Sequence, residues 1–120
     1  MSWVNVMPLT ELPEGERHVL TVGDRSIALI GHQGQVFAIS PRCPHMGGPV
    51  YSGRITSALT IICPWHHSAF DLRTGEIRAW APWPPGVGLV LGAVRPRHRL
   101  PVYATRIQDG VIGVELPDAT

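Results

Sequence analysis

The 120-residue sequence predicts an all-β protein. Three observations lead there. No stretch of ten or more residues keeps a helical period in its apolar positions. Gly and Pro together supply 25 residues, and they punctuate short apolar runs instead of forming a low-complexity tract. Dipeptides that favour tight hairpins, Gln33-Gly34 and Asp109-Gly110, fall between runs of β-favouring residues.

Taken in order, residues 17–22 and 26–31 are β-favouring runs separated by Gly23-Asp24-Arg25. Gln33-Gly34 separates the second run from a third at 36–39. Residues 59–63 form a short strand of the buried type, and 70–72 resumes the sheet after a loop. Arg73-Thr74-Gly75 turns the chain toward Ile77. Residues 102–107 and 111–116 flank Asp109-Gly110 as a terminal hairpin. Two loops interrupt the strands, at about 40–53 and 63–69, and they hold both cysteines and three of the six histidines. A third, at about 79–100, carries Trp80, Pro82, Trp83, Pro84, Pro85, the apolar run GVGLVLGAV (86–94) and the basic run RPRHR (95–99). No repeat and no linker divides the chain, so one domain over 1–120 is expected.

Composition narrows the function classes. The formal charge is +1, which gives no global case for a nucleic acid or an acidic membrane. The opening MSWVNVMPL lacks the basic and apolar regions of a secretory signal. The longest apolar stretch has nine residues, whereas a membrane span needs about 20. A soluble, cytoplasmic protein is expected. In that compartment thiols stay reduced, and two cysteines grouped with histidines point to metal.

The grouping is specific. Cys43-Pro44-His45 is a C-x-H pair and Cys63-Pro64-Trp65-His66 is a C-x2-H pair. Each opens with Cys-Pro, each lies on a loop between strands, and each offers one thiolate and one imidazole. Thiolates suit iron–sulfur iron or zinc, and imidazoles suit iron, zinc or copper. Zinc would take all four on one ion. A two-iron cluster would take both cysteines on one iron and both histidines on the other, stapling the loops together.

CPHMGG (43–48) followed by CPWHHSAFDLRTGE (63–76) resembles the Rieske iron–sulfur domain. The resemblance implies a fold of three antiparallel sheets with the two cluster loops as a small subdomain. It implies one [2Fe–2S] cluster, with Cys43 and Cys63 on the buried iron and His45 and His66 on the outer one. His67 stands where the family usually has Gly, a place that permits positive φ, and it could replace His66 as ligand. Ser68 matches a serine that donates to cluster sulfur, its alternative being a solvent-facing hydroxyl. Phe70 matches a tyrosine and lacks its hydroxyl. Gly48 and Trp65 stand where high-potential members carry a disulfide. With one of three potential-raising features left, the potential is expected in the lower half of the Rieske range, roughly −150 to +300 mV.

Gly47, Gly48 and Gly75 are expected as plain turn residues, Trp65 as packing, and His18, His32 and His98 as surface residues. The resemblance implies a ferredoxin, an electron carrier and not itself an enzyme, with a flavin reductase and a terminal oxygenase as partners. Two other readings compete: the small subunit of a nitrite reductase, and a module in which the cluster only holds the fold.

Overall fold

The computed structural model describes residues 2–44, 47–65, 67–79 and 98–117. The described residues form eleven strands in three antiparallel sheets, which bears out the predicted class. It divides into two compact units, residues 1–39 with 102–120, and residues 40–101.

The first unit holds two sheets. One has the order β1-β11-β10, from β1 (Ser2–Pro8), β10 (Thr105–Gln108) and β11 (Val111–Leu116). The other has the order β2-β3-β4-β9, from β2 (Arg17–Val22), β3 (Arg25–His32), β4 (Gln35–Ile39) and β9 (Val102–Tyr103). The hairpin dipeptides act as expected. Gln33 and Gly34 have φ of 53° and 74°, and Asp109 and Gly110 have 53° and 75°. Two successive positive values are the signature of the type I′ turn, whose twist matches the flanking strands. β3 is a central strand with Ile27, Ala28, Leu29 and Ile30 all at zero exposure, so its run is apolar without alternation. Ile27, Leu29, Ala38, Ile112, Val114 and Leu116 share one core. Burying each of the larger aliphatic side chains contributes about 1.5–3 kcal/mol relative to exposure.

The second unit holds the sheet β5-β6-β7-β8, from β5 (Arg54–Ile55), β6 (Thr60–Ile62), β7 (Ala69–Asp71) and β8 (Ile77–Ala79). Its strands are short, and among the described residues its large buried apolar side chains are chiefly Val50, Ile61, Phe70, Leu72 and Leu100. A 3-10 turn, Val50–Ser52, precedes β5.

The sequence reading missed β1 and β5. It also took 102–107 as one strand; the chain leaves one sheet after Tyr103 and joins the other at Thr105. His32 is not a plain surface residue, because its Nε2 is buried with no hydrogen-bond partner among the described residues. Most of the third long loop, residues 80–97 with its tryptophans, prolines and apolar run, lies outside the described residues. Among the described residues no helix is long and apolar enough to cross a membrane.

Candidate metal centre

The two cysteines begin two loops of the same backbone pattern. In the first, the Cys43 N–H donates to the Gly48 carbonyl at 2.7 Å and the Gly47 N–H donates to the Cys43 carbonyl at 2.8 Å. In the second, the Cys63 N–H donates to the Ser68 carbonyl at 2.8 Å and the His67 N–H donates to the Cys63 carbonyl at 3.1 Å. Each is a six-residue closure with cysteine first, proline second and a left-handed residue fifth, Gly47 at φ 75° and His67 at φ 61°. The second closure caps the hairpin of β6 and β7, whose register pairs Ile62 with Ala69. The pattern occurs a third time without metal ligands. The Asp71 N–H donates to the Glu76 carbonyl at 2.8 Å, the Gly75 N–H to the Asp71 carbonyl at 2.7 Å, and Gly75 has φ 78°.

The equivalence explains the histidine found where glycine is usual. His67 is the backbone counterpart of Gly47, and it turns the chain in a conformation that non-glycine residues visit rarely. Its side chain is exposed.

Both cysteines are buried, at 4% and 3% exposure, and neither forms a disulfide. Gly48 brings the loops together. A Cβ built on it would stand 3.1 Å from Cys63 Sγ and 2.9 Å from Trp65 Cδ2. Gly48 is therefore a residue of close approach, more than the plain turn residue expected. Trp65 is half exposed, with its inner ring edge on Gly48. Ser68 is buried at 1%, which removes the solvent-facing alternative. Phe70 is fully buried, paired across the sheet with Ile61 and Ile77. His45 and His66, the other two predicted ligands, lie outside the described residues.

Two buried sulfurs on two equivalent loops, with a glycine backbone against one of them, fit a thiophilic centre such as iron–sulfur iron. The donor chemistry is soft on the cysteine side and leaves the neighbouring loop positions for imidazole.

Sequence reading did not single out Asp71, which organises the third closure. Its Oδ1 accepts from the backbone N–H groups of Arg73 (2.8 Å) and Thr74 (3.2 Å). Its Oδ2 accepts from the Arg73 and Arg78 guanidinium groups at 3.0 and 2.8 Å. The Arg73 hydrogen bond first, then those from Arg78 and the backbone, hold the buried carboxyl well below the usual carboxylate range against the opposing effect of burial. An Asp followed three and four residues later by Thr-Gly was the available signal, because short acidic side chains cap such turns.

An open groove of about 510 Å³ runs beside the second loop. Cys63, Pro64, His67 and Ala69 line one part of it, and Gly53 and Arg54 another.

An all-β scaffold that presents two cysteine-led closures of one pattern defines a protein that holds a metal cluster between loops. More narrowly, the chain belongs to the Rieske [2Fe–2S] domain family, which matches residues 2–103. Membership implies a [2Fe–2S] cluster. The chain is 29% identical over 119 residues to the 3-phenylpropionate/cinnamic acid dioxygenase ferredoxin subunit of Escherichia coli (strain K12), covering 99% of this chain and 98% of that protein. It is 36% identical over 69 residues to a Rieske domain-containing protein of Homo sapiens, covering 55% of this chain and 44% of that one. The ferredoxin of carbazole 1,9a-dioxygenase from Nocardioides aromaticivorans IC177 superposes with a TM-score of 0.72 at 24% identity, over 95% of this chain and 97% of that one. The three-sheet fold expected from the motif is thereby confirmed.

Proposed function

We propose that this chain is a Rieske-type ferredoxin, a cytoplasmic one-electron carrier between a flavin reductase and a terminal oxygenase, with residues 1–120 acting as one domain. The observation that carries the reading is the pair of buried cysteines, Cys43 and Cys63, at the head of two equivalent loops. The name of the Escherichia coli relative, a dioxygenase ferredoxin subunit matched over nearly its whole length, supports it.

Cys43 and Cys63 hold one iron as buried thiolates, and His45 and His66 hold the other. The match of His67 to Gly47 supports this assignment, since it gives His67 a turn-closing role and leaves His66 as the imidazole of the C-x2-H pair. When bound, the cluster supplies a centre that takes up and gives back one electron. The chain's own residues set the conditions for that exchange. Pro44 and Pro64 stiffen the loops at their second positions. With the cluster bound, the buried Ser68 would supply a hydroxyl donor for cluster sulfur, and the buried Phe70 would fill its place without a donor.

An anaerobic reductive titration with optical and electron paramagnetic resonance detection tests the proposal. The expected result is one electron, two irons and two labile sulfides per chain. His45→Ala or His66→Ala loses the spectrum and His67→Gly keeps it. A colourless protein carrying zinc, or a cluster that cannot be reduced and reoxidised, overturns the reading.

A further inference from the structure

The near-neutral total charge conceals an uneven division. Residues 40–101, the unit with both cysteine loops, carry seven arginines against two acids, a formal +5. The remaining residues carry three arginines against seven acids, a formal −4. Four of the six histidines also lie in 40–101.

Within the basic unit the two acids are already engaged. Asp71 is buried and paired with Arg73 and Arg78, and Glu76 lies 3.7 Å from Arg78. That group of four charges is neutral as a whole. Arg42, Arg54 and Arg99 are exposed, and no acid pairs with any of them among the described residues. Two of these stand at the cysteine loops. Arg42 precedes Cys43, and its Nη1 is 3.4 Å from the carbonyl of Gly47 in the first closure. Arg54 lines the groove together with Cys63, Pro64 and His67 of the second.

From this placement we infer that the cysteine-loop face is a docking surface for an acidic face of the protein with which this chain exchanges electrons. The inference rests on the carrier reading above and names the chemistry of its partner. Exposed, unpaired arginines raise the local concentration of an anionic partner, steer its approach, and form forked hydrogen bonds to carboxylates. The groove beside Arg54 admits an apolar side chain of the partner, while Arg54 at the groove and Arg42 at the first cysteine loop meet its carboxylates. This unit thus behaves as a basic body whatever the net charge of the chain.

Two measurements test it. In the first, the reduced protein is oxidised under stopped flow by hexacyanoferrate(III) and, separately, by hexaamminecobalt(III). The cluster loses one electron and the oxidant's metal gains it. The rate with the anionic oxidant should fall as salt rises and the rate with the cationic one should rise. Arg42→Glu with Arg54→Glu should slow the anionic oxidant by about tenfold, speed the cationic one, and leave the visible spectrum in place. Arg25→Glu, in the other unit, should change neither rate. In the second, which needs no cluster, a fluorescent glutamate-rich peptide should bind the native chain at low salt and lose binding in the double variant, by anisotropy.

The same salt dependence with both oxidants, or unchanged peptide binding in the double variant, overturns the inference while leaving the carrier reading intact. A protein that exchanges no electrons overturns the carrier reading. Salt-sensitive self-association by sedimentation, abolished by the double variant, would assign the face to a second copy of the chain and overturn an acidic redox partner as its occupant.

Discussion

At the scale of single residues, His67 shows how backbone shape can outweigh chemistry. Its φ of 61° places it in the left-handed region, where a residue with a Cβ is disfavoured by about 1–2 kcal/mol. His67→Gly should therefore keep the visible spectrum and match or exceed the native thermal stability. His67→Val, whose branched Cβ suits that region poorly, should lower stability by about 1–3 kcal/mol. If the glycine variant instead loses the spectrum, the imidazole of His67 is a ligand. Two further residues bear on potential. A hydrogen bond to cluster sulfur favours the reduced, more negative form, so Ser68→Ala should lower the potential and Phe70→Tyr should raise it. Protein-film voltammetry at neutral pH reads both, and the native value is expected in the lower half of roughly −150 to +300 mV. The two cysteine loops were legible because the spacing of Cys and His in them carries chemistry. The function of Gly48 was not, because its reason is a neighbour from another loop, 3.1 Å from where its side chain would begin.

At the scale of elements, the third closure is organised by Asp71, whose carboxylate accepts from the backbone of Arg73 and Thr74. Asp71→Asn removes the charge that two half-exposed guanidinium groups face, and about 1–2 kcal/mol of stability should go with it. The dependence on pH has a definite sign. Asp71 is held below its ordinary carboxylate range by its arginine hydrogen bonds, so its contribution is complete above about pH 5 and is lost as pH falls through the unfolded-state and then the folded-state value. The stability gap between native protein and Asp71→Asn should accordingly be constant from pH 7 to about pH 5 and narrow in more acid solution. A gap that does not change with pH would show that the carboxylate's charge contributes nothing. Elements bounded by strong turns were readable from sequence, as at Asp109-Gly110. β5 was not, since two residues give no pattern. The change of sheet at Ala104 was not either, because 102–107 is a continuous β-favouring run and the transfer is decided by what each half packs against.

At the scale of the molecule, the two units have unequal means of support. Among the described residues the unit with the cysteine loops uses short strands and its loops bury few large side chains, whereas Ile112, Val114 and Leu116 of the terminal hairpin sit in a shared core. Metal binding is coupled to folding where a site cannot persist alone. Removal of the cluster should therefore raise hydrogen exchange across residues 43–68 and leave 105–116 near its native protection. Equal protection of 43–68 in both forms would show that the loops need no metal. The division into units was not legible, because nothing in composition or linker chemistry marks residues 40 and 101 as boundaries. One contact has a wider consequence. Where a covalent sulfur bridge could have joined the two loops, glycine meets the inner edge of an indole. That join has no electrons to gain or lose. Glutathione and dithiothreitol find nothing there to cleave, so the protein's melting temperature and its potential should be the same in reducing and non-reducing buffer, and its electron traffic is insulated from the thiol chemistry of the cell.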